Sequence, residues 1–151
     1  MNIDGAWNWD RNVAGFGAIV RDKTGNFVSA KCGREEDVFS PLQAEAVALR
    51  AGLSWAVHRG FATYFFRKRF TSDFGDVVRV LSRFVIHGAN CGRYQGAPPF
   101  NQVKLSTLFA KETRLLIALH GVGLSVQQDC IWNVTPPSIV SDLLVEDNVL
   151  P

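Results

Sequence analysis

Cysteine is scarce in this chain, and its three residues, Cys32, Cys91 and Cys130, lie far apart in the sequence. Their odd number and the lack of any CxxC pair argue against a disulfide framework or a zinc site and favour a reducing compartment. The chain also lacks a run of about 18 apolar residues, so we expect no membrane span. Its first residues have neither a basic nor an apolar segment, which predicts no signal peptide. We therefore expect an intracellular protein, in the nucleus or the cytoplasm.

The composition is that of an ordinary folded domain. Hydrophobic residues make up 47% of the chain and charged residues 20%, which excludes a disordered tail and a collagen-like repeat. A length of 151 residues suits one domain with its own core. Residues 60–104 carry seven basic and two acidic side chains, whereas residues 128–151 carry four acidic and no basic ones. This uneven charge indicates either a polyanion partner or an ordinary solvated face.

The first 60 residues predict three strands followed by a helix. Three apolar stretches are separated by short polar turns: 1–7, 13–20 and 27–32. Their short spacing predicts an antiparallel meander, with Gly25 in a turn that needs a positive φ. Ser40 as the N-cap, Pro41 as the first helical residue and Gly60 beyond the last predict one helix.

Secondary structure beyond Gly60 follows a less regular pattern. A fourth strand is predicted over 61–70, and two further helices over about 74–86 and 105–119. The resulting order, β-β-β-α-β-α, predicts an α/β protein of mixed α+β type, in which helices pack on the faces of a mixed sheet.

Three acidic residues stand out by their predicted positions. Asp4 lies in the first strand, Glu45 in the first turn of the first helix, and Asp73 after the fourth strand. Strand ends and helix starts can hold carboxylates rigidly in one cleft, and oxygen ligands of this kind suit Mg²⁺ or Mn²⁺. Two such ions activate a water and stabilise the leaving oxygen in phosphodiester hydrolysis. The alternative is that they are three unrelated surface acids.

Motifs around these acids occur in a fixed order: Asn2-Ile3-Asp4-Gly5-Ala6-Trp7, Ser40-Pro41-Leu42-Gln43-Ala44-Glu45-Ala46, and Ser72-Asp73 followed by Val77-Val78. With the glycine-rich second strand, they resemble the ribonuclease H-like domain found in plants. That domain is the reverse-transcriptase-associated, retroelement-derived branch of the type 1 ribonuclease H superfamily. The resemblance covers residues 1 to about 85 and implies a ribonuclease H-like fold, whose mixed sheet opens with an antiparallel three-strand meander.

The resemblance also implies a function and a site. Asp4, Glu45 and Asp73 match the family's first three metal-binding carboxylates, which bind two Mg²⁺ or Mn²⁺ ions. The implied reaction is two-metal hydrolysis of the RNA strand of an RNA–DNA hybrid. The basic run Arg67-Lys68-Arg69 then fits a surface that binds nucleic acid. The partner expected is an RNA–DNA hybrid or another nucleic acid, with no membrane, and the chain is expected to be a monomer.

One motif of the family is not present in the sequence. An Arg-rich strand followed by Asn-x-x-Ala-His or Asn-x-x-Ala-Asp is not found between Val77 and Gln128. The fourth carboxylate and the mobile histidine of the family are therefore unassigned, and His120 is interpreted as a packed or capping histidine. A local frameshift or mis-predicted exon explains the loss, and we expect residues 86–123 to be non-native or disordered.

These observations divide the chain into a ribonuclease H-like domain over 1–123 and an acidic C-terminal extension over 124–151. They leave an alternative function open, in which the chain is a catalytically inactive nucleic-acid-binding relic or a retroelement-derived pseudogene fragment.

Overall fold

The computed structural model describes residues 1–60, 65–68, 104–107 and 110–149. The elements in chain order are β1 (Asn2–Asn8), β2 (Val13–Arg21), β3 (Phe27–Glu35), α1 (Pro41–His58), β4 (Phe65–Lys68), β5 (Lys104–Thr107), α2 (Ala110–Ser125), β6 (Cys130–Asn133) and α3 (Ser138–Val149). The strands form a mixed sheet in the spatial order β5-β4-β1-β2-β3-β6. The predicted class, a mixed sheet with packed helices, is confirmed.

The first three strands form the predicted antiparallel meander. β1 pairs with β2 in a register that opposes Asp4 to Gly17, and β2 pairs with β3 so that Gly17 opposes Cys32. The turn between β2 and β3 places Gly25 at a φ of 89°. Glycine adopts this left-handed conformation without steric cost, which confirms its predicted role in the turn.

Helix α1 begins and ends where its capping residues predict. The backbone N–H of Gln43 donates to Oγ of Ser40 at 3.2 Å, and Oε1 of Gln43 accepts from the backbone N–H of Phe39 at 2.7 Å. The first bond satisfies a donor that the first helical turn leaves without an intrahelical partner, and the second holds the entering chain against that turn. Pro41 is the first helical residue, and Gly60, at a φ of 67°, follows the last turn.

Strands β4 and β5 extend the sheet beyond β1 by parallel pairing. Arg67 of β4 pairs with Asn2, and Phe65 pairs with Lys104 of β5. The fourth predicted strand is therefore confirmed within its predicted range of 61–70. The helix predicted over about 74–86 lies outside the described residues.

The helix predicted over 105–119 differs from the one in the structure. Lys104–Thr107 form β5, because the free edge of β4 accepts their backbone hydrogen bonds, and the helix itself runs over Ala110–Ser125. The stretch 86–123, expected to be non-native or disordered, therefore contains β5 and most of α2. Strand β6 then pairs with β3, and α3 packs against α2.

The sheet has helices on both faces, which are named here by their main helix. On the α1 face, Ile3 and Phe16 of the strands pack against α1. On the α2 face, Ile19 and Cys32 pack against Leu119 of α2 and against α3. Of the helices that the structure describes, none combines the length and apolar character that crossing a membrane requires.

Candidate active site

Asp4 lies in the middle of β1 and points to the α2 face. Its cross-strand partner Gly17 has no side chain, and a Cβ there would lie 2.6 Å from Cβ of Leu119 and 3.0 Å from the backbone N of His120. Opposed residues in an antiparallel pair share a face of the sheet. Gly17 therefore allows α2 to approach β2 closely, at the position directly beside Asp4.

His120 of α2 lies close to the carboxylate of Asp4. Its Nε2 lies 3.7 Å from Oδ2 of Asp4, and the side chains of the two residues are 14% and 15% exposed. The sequence interpretation of His120 as a packed or capping histidine missed this contact. Helical spacing could have revealed it, since His120 lies four residues after the buried Leu116 and so on the same side of the helix.

Gly5, the next residue along β1, points to the opposite face. A Cβ on Gly5 would lie 2.7 Å from the carbonyl oxygen of Ala44 and 2.9 Å from Cβ of Ala48. Helix α1 is thus in direct contact with β1 at the residue that precedes Glu45. A larger residue than glycine would move the helix away from Asp4.

Glu45 is buried in α1, with 4% of the residue exposed. It begins the second turn of the helix rather than lying in the first, because the helix begins at Pro41. Burial of a carboxylate is costly unless cations or hydrogen-bond donors compensate for its charge. Asp4 and Glu45 therefore lie on segments that touch through Gly5 and Ala44, and Asp4 itself faces the opposite side of β1 from α1.

Two of the remaining predicted site residues lie in the strand beside β1. Arg67 and Lys68 belong to β4, where they pair with Asn2 and Ile3 of β1. Asp73 and Arg69 lie outside the ranges that the structure describes.

The ligand atoms that this region offers are of the type that binds a hard divalent cation. Asp4 and Glu45 offer carboxylate oxygens, which Mg²⁺ and Mn²⁺ prefer over nitrogen and sulfur. Within the described ranges, however, no group of three or more His, Cys, Asp or Glu side chains lies close enough together to hold a metal ion. A complete site of the predicted kind therefore requires Asp73.

Comparison with known proteins connects this geometry to a family. A family model described as reverse transcriptase-like matches residues 2–81, more than half of the chain. The chain belongs to the reverse transcriptase-like family. The match spans all three predicted carboxylates of this reverse transcriptase-like chain, Asp4, Glu45 and Asp73.

A solved structure agrees with that membership at the level of the fold. The chain is similar to the structure of RNase H1 from the halophilic archaeon Halobacterium salinarum NRC-1, with a TM-score of 0.59 and 19% sequence identity. The alignment covers 82% of this chain and 95% of the archaeal one. The reverse transcriptase-like chain thus has an RNase H-like fold, as its motifs predict. No curated protein sequence matches it.

Proposed function

We propose that the chain is a nucleic-acid-binding, ribonuclease H-type hydrolase that cleaves the RNA strand of RNA–DNA hybrids. The observation that carries this proposal is the family match over residues 2–81, which includes every carboxylate that the reaction needs from the first half of the chain. The position of Asp4 on β1, against α1 on one side and α2 on the other, supports it. A plant, retroelement origin of the chain is part of the same proposal.

Asp4, Glu45 and Asp73 would hold Mg²⁺ or Mn²⁺ in this proposal. The bound ions supply an activated water and stabilise the leaving oxygen of the scissile phosphodiester. The chain's own contribution is to hold its carboxylates apart from bulk water. Asp4 and Glu45 are suited to that task because both are largely buried, on segments fixed by the contact between Gly5 and Ala44.

His120 is a positioning residue in this proposal. Its ring nitrogen lies 3.7 Å from the Asp4 carboxylate, so it limits the orientations that this carboxylate can adopt. We expect His120→Ala to lower kcat about 10–100-fold with little change in KM, as is typical when a partner of a metal-binding side chain is removed. His120→Gln keeps a polar group at this position and is expected to restore part of the loss. Equal activity of all three proteins would contradict the role.

Nucleic-acid binding is assigned to the basic middle of the chain. Arg67 and Lys68 lie in the strand next to β1, and residues 60–104 as a whole have five more basic than acidic side chains, seven against two. Phosphate contacts of this kind release counterions, so binding of a hybrid should weaken steeply as salt is raised. Recognition of the 2′-hydroxyl and of groove shape requires no base-specific contacts.

The test is Mg²⁺-dependent cleavage of an end-labelled RNA–DNA hybrid by the full chain and by Asp73→Asn. The matched control is Asp142→Asn, the same chemical change at an exposed residue of α3. Cleavage by wild type and by Asp142→Asn, with loss in Asp73→Asn, supports the proposal. Cleavage that survives Asp73→Asn contradicts the assigned site.

A second candidate function is a catalytically inactive nucleic-acid-binding protein. It is favoured by the absence of the family motif that was expected between Val77 and Gln128. It is also favoured by the lack, over the described residues, of a cluster of three metal-ligating side chains. Salt-sensitive binding of the hybrid without cleavage would establish this alternative. Neither binding nor cleavage would instead favour a pseudogene fragment.

A further inference from the structure

Two cysteines that are far apart in the sequence face each other in the sheet. Cys32 of β3 and Cys130 of β6 are direct partners in the antiparallel register. Directly opposed residues in such a ladder have Cα atoms about 4.5 or 5.5 Å apart, depending on the pair type. Both separations fall within the range of about 4.4–6.8 Å that disulfides span.

The surroundings of the two thiols differ. Cys32 is fully buried in the core of the α2 face, whereas Cys130 is half-buried at the edge of the same core. Burial and, to a smaller extent, the neighbouring Cys130 together raise the pKa of the Cys32 thiol to about 12. Cys130 also lies within 3.7 Å of the carbonyl oxygen of Gln128. The two thiols therefore interact directly, and Cys130 is the more accessible of them.

We propose that Cys32 and Cys130 form a site of reversible oxidation, at which a low-molecular-weight disulfide converts the two thiols into a disulfide that joins β6 to β3. The bond would tie β6 to the rest of the sheet, close a loop of about 100 residues and stabilise the fold against unfolding. The proposal does not depend on nuclease activity, because neither cysteine belongs to the candidate active site.

The reaction is two successive thiol–disulfide exchanges. The Cys130 thiolate attacks one sulfur of the small disulfide, which forms a mixed disulfide and releases one small thiolate. The Cys32 thiolate then attacks the Cys130 sulfur and displaces the second small thiolate. The two protein sulfurs are oxidised, the small disulfide is reduced to two thiols, and the two protein protons pass through solvent to the released thiolates. The second step is expected to be slow at neutral pH, because little of Cys32 is ionised.

The experiment treats the reduced, folded full chain with oxidised glutathione, blocks remaining thiols with iodoacetamide and maps the peptides by mass spectrometry. We expect a peptide pair that links Cys32 to Cys130 and is released by dithiothreitol. We also expect a rise in Tm of about 5–15 °C for the oxidised protein. Cys91→Ser should form the same link, because Cys91 takes no part in it.

Cys130→Ser is the matched negative control, because a half-buried edge residue tolerates this change better than the buried Cys32 does. It should give neither the link nor the rise in Tm. A glutathione adduct on Cys130 that persists in wild type without the link would overturn the proposal. A bond to Cys91, or a bond between two chains, in place of the Cys32–Cys130 link would also overturn it.

Discussion

The two faces of the sheet are packed by helices of different composition: α1 is rich in buried alanines, whereas α2 buries leucines. On the α1 face the helix buries five alanines beside larger residues such as Leu49, and the strands bury Ile3 and Phe16, at 0% and 1% exposure. The buried alanines of α1 are Ala44, Ala46, Ala48, Ala51 and Ala56. On the α2 face the helix buries leucines, such as Leu119, and the strands supply the large Ile19 beside the small Gly17 and Cys32.

Close contacts on both faces make β1 suited to hold the candidate site. Successive residues of a strand point to opposite faces, so that Asp4 faces α2 and Gly5 faces α1. Small residues at both contacts bring a helix close to each side of the strand. Asp4 therefore lies on a strand that α1 approaches closely on one face, beside the point where α2 approaches β2 on the other.

The largest expected effects are on catalysis, and two variants, one on each face, allow them to be compared. Glu45→Gln on the α1 face should reduce hybrid cleavage at least about 100-fold, because it removes a charged ligand. His120→Ala on the α2 face should cost less, about 10–100-fold, because His120 acts through Asp4. Steady-state cleavage rates, with circular dichroism as a control for folding, measure both. A larger loss for His120→Ala than for Glu45→Gln would reverse the assigned roles.

Truncation of a fully buried leucine compares the packing of the two faces. Leu49→Ala in α1 and Leu119→Ala in α2 should each lower the free energy of unfolding by about 2–5 kcal/mol, since both residues are 0% exposed. Ile117→Ala is the control in α2, because that side chain is 51% exposed and should matter by less than about 0.5 kcal/mol. Urea denaturation measures all three. If Leu119→Ala costs no more than Ile117→Ala, α2 is not packed as described.

The α1 face was largely predictable from the sequence, whereas the α2 face was not. Ser40, Pro41 and Gly60 are local signals that bound α1 without reference to the rest of the fold. No such capping residues were identified for α2 in the sequence. Its leucines form an apolar run that does not indicate where the helix begins. Its contacts with β2 are set by tertiary packing, which local patterns do not encode.

The candidate site, like the fold, was predictable only in part from the sequence. The motifs singled out Asp4, Glu45 and Asp73, and the structure places the first two on segments that touch. His120 was not recognised, because its proximity to Asp4 depends on α2 packing across Gly17. The Cys32–Cys130 pair was also missed, because pairing between β3 and β6 joins parts of the chain that are far apart in sequence.

Adding a methyl group at the close contacts should have a smaller effect than truncating the leucines. Gly5→Ala and Gly17→Ala should each cost about 1–3 kcal/mol, because the new Cβ would lie within 3 Å of a neighbouring helix atom. Gly121→Ala in α2 is the control, since a Cβ there meets nothing within 4 Å. It should stabilise the helix by about 0.5–1 kcal/mol. Equal stability of the three variants in denaturation experiments would argue against the close approach of both helices.

A further expected effect is an alkaline loss of stability that is specific to the α2 face. The pKa of Cys32 is raised in the folded state from the 9.0 of a free thiol to about 12, chiefly by burial. Its contribution to stability is therefore complete below about pH 9 and is lost as the pH rises towards 12. Unfolding free energies measured across this range should fall more steeply for wild type than for Cys32→Ala. Parallel curves would show that the Cys32 thiol ionises as easily in the folded chain as in the unfolded one.

The central claim is that Asp4 is a catalytic carboxylate held between the two faces, and Asp4→Asn tests it most directly. Cleavage of a labelled RNA–DNA hybrid would be measured with and without Mg²⁺, beside hybrid binding and Tm. We predict that wild type and Asp142→Asn cleave only with Mg²⁺, and that Asp4→Asn binds the hybrid but cleaves at least about 100-fold more slowly. Cleavage by Asp4→Asn at the wild-type rate, or no cleavage by the folded wild-type chain, would contradict the claim.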